Sequence, residues 1–307
     1  MKKRILNIMS IILLLTSSCL SAAENIRKVA TWNMKWLGTN SGNQLDAVEN
    51  VPEYAAYITK TGATLFALQE IGATYSVDGQ PRCYYLDLIV NELNKGITSE
   101  GEQWKYILDG RNENQRLAFL YKQDQWSLSD TISITPGDSF NHIRRPFMAA
   151  VEAKGENAAL KFNYINIHLK AMPEAEARQQ RQLNIEQLAN WLETNTNKLD
   201  DDVLISGDTN IYYGESGIDQ PLKDIKYCCL YDPEKTAIFD GQLSQRFDRF
   251  FCSPGLKREI ASAKKNVPKG KDIDVIKEDD ADKISEFDEN ISDHFPVVLN
   301  IDVSQER

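Results

Sequence analysis

Apolar residues in this chain come mainly as short runs. VATWNM (29–34), TLFALQE (64–70), RLAFLY (116–121), FMAAVEA (147–153), LKFNYINIHL (160–169), DVLISGD (202–208), QRFDRFF (245–251) and PVVLNIDV (296–303) are rich in aliphatic, β-branched or aromatic residues, and Gly, Pro, Asn or Asp bound them. Runs of this length and composition predict strands. Between them, PEAEARQQRQLNIEQLANWLETN (173–195) switches to a helical period. Leu183, Leu188, Trp191 and Leu192 share one face, and Pro173 and Glu174 suit a first turn. That assignment leaves Arg178 and Arg181 on the solvated side. Residues 51–58 and 87–93 are shorter helix candidates, and the charge-dense stretch 257–289 is expected as an exposed loop or marginal helix. Strands mixed with helices, no internal repeat and no second composition regime predict one α/β domain whose sheets are covered by helices.

The first 23 residues change the picture of where the chain works. MKKR leads into an apolar stretch over 5–15 and then small residues, the layout of a secretory signal too short for a comfortable membrane span. Cleavage after Ala23 leaves residues 24–307 as a secreted or periplasmic protein with no stable membrane insertion; acylation at Cys19, giving a lipoprotein, is the alternative. Losing Lys2, Lys3 and Arg4 takes the formal charge from −10 to about −13. A field of that sign does not steer the protein to nucleic acid, so phosphate handling would need a local Arg cluster or a bound cation. Export also favours disulfides among Cys83, Cys228, Cys229 and Cys252. One member of the 228–229 doublet bonding to Cys252 would close a short loop, and the other could reach Cys83; the spacing leaves the connectivity open.

Chemistry collects where strands end. Asn33 closes TWN, Glu70 closes ALQE, His168 sits in NIHL, Asp208 and Asn210 in GDTN, and Asp248 in FDR; Asp293-His294 precedes the last run. Strands packed side by side would bring these to one rim. Four carboxylates at a rim are electrostatically costly without a cation, and oxygen donors without thiolate suit Mg²⁺, Mn²⁺ or Ca²⁺. Two of the chain's three histidines among carboxylates suit proton transfer. The third, His142, is assigned to a loop. Tyr212 and Tyr213 follow GDTN and are expected to pack against that loop, with stacking on a base or lining a lipid groove as alternatives.

TWN at 31–33, QE at 69–70, N-x-H-L at 166–169, GDTN at 207–210, FDR at 247–249 and SDH at 292–294 together resemble the endonuclease/exonuclease/phosphatase superfamily. That group includes deoxyribonuclease I, abasic-site endonucleases, inositol polyphosphate 5-phosphatases and bacterial sphingomyelinases. The pieces run in family order along the whole chain after the leader. The resemblance implies an α/β (α+β) fold: a four-layer α/β/β/α sandwich, two central mostly antiparallel sheets flanked by helices. It also implies metal-dependent cleavage of phosphoesters. GRNENQRLAFLY (110–121) and RRPFMAAVEA (144–153) are similar to the Gly-Arg-Asn turn and Arg-x-Pro strand of the deoxyribonuclease I branch.

Position by position, the resemblance gives Glu70, Asn33 and Asp293 to a divalent ion, and Arg144, Arg116 and Asn210 to substrate phosphate. His294, oriented by Asp248, becomes the base and His168 the proton donor, while Asp208 and Asn210 position water or phosphate oxygens; in some family members Asp208 is the base. Two positions depart from the branch: Gln115 stands where it has a Glu orienting the first histidine, and Gly72 where it has a DNA-contacting Arg. The expected activity is an exported, Mg²⁺-dependent endonuclease on DNA. A sphingomyelinase- or phosphoinositide-phosphatase-like enzyme is the alternative.

Overall fold

VATWNM forms the middle of a longer strand, β1 (Ile26–Leu37), in a computed structural model that describes residues 25–38, 48–72, 74–110, 115–138, 144–156, 158–230, 234–263 and 272–304. The leader and His142 lie outside these residues. Helix α1 (Val51–Thr61) carries the chain back along β1, with Gly62 in the left-handed conformation at its end, to the parallel strand β2 (Leu65–Ile71). After the small β3 (Tyr75–Val77)–β4 (Gln80–Arg82) hairpin and α2 (Tyr84–Leu93), strands β5 (Trp104–Leu108) and β6 (Arg116–Lys122) complete one side of the first sheet.

A second sheet repeats the plan. It starts with β7 (Trp126–Ser133), β8 (Phe147–Ala153) and β9 (Lys161–His168). Helix α3 (Ala175–Thr194) then crosses to the parallel strand β10 (Val203–Asp208). A short helix α4 (Gln220–Asp224), β11 (Cys228–Leu230), the hairpin β12 (Ala237–Phe239)–β13 (Gln242–Gln245) and β14 (Asp248–Cys252) follow. Helix α5 (Pro254–Ala263), β15 (Ile273–Val275), α6 (Ala281–Asn290) and β16 (Val297–Asp302) return to the first sheet.

The strand orders are β15–β16–β1–β2–β6–β5 and β11–β14–β10–β9–β8–β7. Each six-stranded sheet is antiparallel except for its central pair, β1–β2 or β9–β10. The expected fold class is the observed one. Strands β2, β10 and β16 are buried at every position, because both faces are covered and no polar alternation is needed. Between the sheets, Phe119 packs on Phe147 and Tyr164 at centroid separations of 5.3 and 5.1 Å. A buried polar bridge crosses the same space: the Gln69 amide donates to Asn166 Oδ1 (2.8 Å), and Asn166 Nδ2 donates to the carbonyls of Leu68 and Ala118. Gln69 and Asn166 of the QE and N-x-H-L motifs therefore fasten the sheets together.

Several expectations change. The end of the stretch 257–289 is built into the fold: Asp280 caps α6 by accepting from the Asp282 and Lys283 amides, and Ile284 and Phe287 turn inward, Phe287 stacking on Phe295 at 4.3 Å. High charge density hid an apolar pair at helical spacing. QRFDRFF divides, Gln245 ending β13 and Asp248 opening β14. On α3 the inward stripe is Ala177, Arg181, Asn184, Ile185, Leu188 and Leu192, so Arg181 is fully buried while Leu183 is exposed.

The four described cysteines, Cys83, Cys228, Cys229 and Cys252, are free thiols. Successive strand residues point to opposite faces, which sends Cys228 and Cys229 to different cores. Cys228 lies opposite Cys252 in the β11–β14 register, whereas Cys83 is buried under Leu37 and Gly38, so a second pair with Cys83 has no counterpart. Among the described residues no helix is long and apolar enough to cross a membrane.

Gly207 shows how tightly the central parallel pair is set. A Cβ there, at φ +149°, would lie 1.8 Å from the Ile167 carbonyl oxygen. Gly207→Ala is expected to cost at least about 3 kcal/mol in denaturant titration, since overpacking and backbone strain each cost about 1–3 kcal/mol.

Candidate active site

The carboxyl ends of the two parallel pairs meet at one rim. Asn33 and Glu70 come from β1 and β2, and His168 and Asp208 stand side by side at the ends of β9 and β10. Strands β14 and β16 run antiparallel to these, so the start of β14 places Asp248 opposite Asp208, and the loop before β16 delivers Asp293 and His294 to the same edge. Crevices at the carboxyl ends of strands are where α/β sheets bind ligands.

Local irregularities aim the side chains. Register breaks follow Asn33 on β1 and span Glu70 on β2, and Glu70 takes φ +62°. The bulge turns the Trp36 amide toward Glu70 Oε2 (3.1 Å) and the Lys35 amide toward Asn33 Oδ1 (3.0 Å). Asn210, at φ +49°, closes the turn after β10 by donating its amide to Asp208 Oδ1 (2.9 Å) and its side chain to the Leu169 carbonyl (3.2 Å). Ser292 ties the last motif to the first: its hydroxyl donates to the Asn33 carbonyl (2.7 Å) and accepts from the His294 amide (3.1 Å).

At the centre, Asn33 Nδ2 donates to Glu70 Oε1 (3.1 Å) and Asp208 Oδ2 (3.0 Å), and His168 Nε2 lies 3.5 Å from the same two oxygens. His294 Nδ1 is 2.8 Å from Asp248 Oδ2, and its Nε2 is 3.8 Å from Asp208 Oδ2. Asp293 is half-buried. Arg144, at φ +64°, donates Nε to Gln115 Oε1 (2.9 Å) and Nη1 to the Leu169 carbonyl. Gln115, at the position where the resemblance expected a histidine-orienting Glu, therefore holds the arginine. Arg116, the first residue of β6, is buried and donates to the Asp109 carbonyl (2.8 Å).

The electrostatics are those of crowded acids. Burial, with Asp293 and Asp208 adding to it, pushes the Glu70 carboxyl up to about 7 against the pull of its Asn33 hydrogen bond. Asp208 is raised chiefly by burial, with Asp248 contributing. The two imidazoles go opposite ways. Burial, Arg144 and His294 hold His168 well below its ordinary value, so it is neutral. Burial alone would lower His294 too, but the Asp248 and Asp208 charges and the Asp248 hydrogen bond outweigh it and raise the imidazole well above its ordinary value.

These donors fit a hard divalent cation. Glu70 Oε1 and Asp208 Oδ2 converge on a common point, and both His168 ring nitrogens are buried without a hydrogen-bond partner, as expected beside an oxygen-lined ion or phosphate subsite. Among the described residues no three His, Cys, Asp or Glu side chains form a ready cage. Two carboxylates suit Mg²⁺, which keeps several waters and takes its remaining ligands from substrate phosphate. Asn33 turns its NH₂ toward both carboxylates, so here it clamps them together.

The motifs contain Gln69, Asn166 and Ser292, but sequence reasoning gave these three no role in tying the strands together, and it placed Arg181 on the solvated side of its helix. Arg181 carried the one available signal, its place on the inward stripe of α3. Tyr212 and Tyr213 divide the roles considered for them. Tyr212 packs edge-on against Phe247 at 4.8 Å, and Tyr213 projects with 85% of its surface exposed.

No protein-family model and no curated protein matches the sequence. Solved structures do. An endonuclease/exonuclease/phosphatase family protein from Bacteroides thetaiotaomicron aligns over 90% of this chain and 97% of its own, at 16% identity and TM-score 0.58. A humanized D. rerio TDP2 aligns over 90% and 98%, at 15% identity and TM-score 0.56. The human Nocturnin catalytic domain with bound sulfate anion aligns over 90% and 94%, at 14% identity and TM-score 0.55. The chain shares the fold of these endonuclease/exonuclease/phosphatase-type structures.

Proposed function

We propose that the protein is an exported, divalent-cation-dependent phosphodiesterase that cuts DNA internally, in the manner of deoxyribonuclease I. The observation that carries this reading is the convergence of Glu70, His168, Asp208 and the Asp248–His294 pair at one strand rim. Export is supported by the layout of residues 1–23. A DNA substrate is supported by two features: Arg144 lies within electrostatic range of Glu70 and Asp208, and Tyr213 offers a solvent-facing ring on which a base can stack. A likeness in fold adds that a D. rerio TDP2 is described in complex with a single-strand DNA product.

Glu70 and Asp208, with Asp293 close by, would hold a divalent cation, which would supply Lewis-acid neutralisation of the scissile phosphate. The chain's own groups do the rest. Arg144 and the side-chain NH₂ of Asn210 hold phosphate oxygens, and the charge of Arg144 offsets the charge that redistributes in the transition state. His294, acting from its neutral form, takes the proton of the attacking water at Nε2. Asp248, bonded to Nδ1, fixes the tautomer and stabilises the imidazolium formed, the form that its surroundings favour. His168 hydrogen-bonds the leaving oxygen.

Supercoiled plasmid incubated with pure protein and Mg²⁺ or Mn²⁺ is expected to be nicked, and EDTA is expected to abolish the reaction. Survival of plasmid, linear DNA and RNA with either ion would refute the nuclease reading. Release of phosphocholine from sphingomyelin in a parallel assay would move the protein to the lipid branch.

A further inference from the structure

Helix α3 carries a charged side chain behind the strand rim. Arg181 is fully buried on that helix, where a charge is costly unless the fold uses it. Its Nη1 donates to the carbonyls of Lys170 and Met172, both at 2.8 Å, and its Nη2 donates to Glu215 Oε1 at 2.6 Å. Glu215 passes the connection on, accepting the Tyr212 amide at Oε2 (3.0 Å), and the Arg181 guanidinium lies 5.3 Å from the Tyr212 ring centroid.

Residues 170–172 follow His168 and Leu169 directly. Residues 212–215 follow Asp208 and Asn210. The two segments also meet at the rim itself, where the Leu169 amide donates to the Asp208 carbonyl (2.9 Å) and Asn210 Nδ2 to the Leu169 carbonyl (3.2 Å). The planar guanidinium reaches two carbonyls on one segment and a carboxylate on the other, a fork that a lysine cannot reproduce.

We propose that Arg181 is a positioning residue for this site: with Glu215 and Tyr212 it forms a buried strut that fixes the His168 strand end against the Asp208–Asn210 strand end. The proposal rests on the phosphodiesterase reading above. A buried ion pair adds little stability over an apolar pair of similar size, so what the strut contributes is the relative placement of the two ends. Catalysis is sensitive to that placement, since a displacement of about 1 Å costs about 10²-fold in rate.

Two variants test it, Arg181→Lys and the double change Arg181→Met with Glu215→Met, which removes both charges and keeps volume in the pocket. Both are expected to unfold cooperatively. Plasmid cleavage is expected to lose at least about 10-fold in kcat while KM stays within about threefold. Amide exchange is expected to speed up at Leu169, Asn210 and Tyr212 and to stay unchanged in β1, β2 and β16, a readout that needs no activity. Folded variants with wild-type kcat, or with unchanged exchange at those amides, would overturn the proposal. Loss of cooperative folding in both variants would overturn it as well, making Arg181 a stability element. A wild-type protein without activity but with the expected exchange pattern would instead refute the phosphodiesterase reading and leave the strut standing.

Discussion

His294→Ala is expected to lower single-turnover plasmid cleavage by about 10²–10⁴-fold, the range general acid–base groups contribute. The fold has little reason to change. The connections that hold this loop use the His294 backbone, whose carbonyl accepts from Trp32 Nε1 (2.7 Å) and whose amide donates to Ser292. What alanine removes is the imidazole that couples Asp248 to the pocket facing Asp208. His168→Ala is expected to cost at least about 10²-fold, and Asp248→Asn less than His294→Ala, because it disturbs orientation but leaves the proton acceptor in place. Single-turnover rates, with circular dichroism confirming an intact fold, check all three.

Glu70→Gln is expected to separate stability from activity. The Glu70 carboxyl has an ordinary value of 4.5 and a folded value of about 7. Between those pH values the folded protein holds a proton that the unfolded chain has lost, so stability falls as pH rises through that window. At about 1.4 kcal/mol per unit, the metal-free wild type is expected to lose about 3 kcal/mol on this account by pH 8. Gln removes the titration, so denaturant titrations of the variant are expected to show a pH dependence flatter by about that amount. Mg²⁺ is expected to recover the loss at pH 8 in the wild type alone, while the variant loses at least about 10²-fold in cleavage. A wild-type stability indifferent to pH from 4.5 to 8, relative to the variant, would contradict the burial argument.

Much of this site was legible because its residues sit at strand ends, where a change from apolar to polar composition is visible in one dimension. Glu70, Asp208 and His294 could be assembled on the assumption that strand ends share a rim. The backbone devices that aim them could not. Nothing in TWNMKWL announces a bulge after Asn33, and Gly207 gives no sign that it faces the Ile167 carbonyl. Gln115 illustrates a different loss: the sequence showed a departure from the expected Glu, but only the fold shows that its amide oxygen holds Arg144. Arg181 was misplaced because charge was weighed above period. The stripe 177, 181, 184, 185, 188, 192 has helical spacing, and a buried arginine with three acceptors overrides its preference for water. In 257–289 the same bias toward counting charges concealed α6, whose inward face is carried by Ile284 and Phe287.

The central claim is that Glu70 and Asp208 together grip a divalent ion at the meeting point of the two sheets. Titration of Mn²⁺ followed by electron paramagnetic resonance tests it without reference to any substrate. The wild type is expected to sequester Mn²⁺ at a site that Glu70→Gln and Asp208→Asn each abolish and that excess Mg²⁺ empties. Undiminished sequestration by both variants, or none by a wild-type protein that cleaves plasmid in Mn²⁺, would contradict the account.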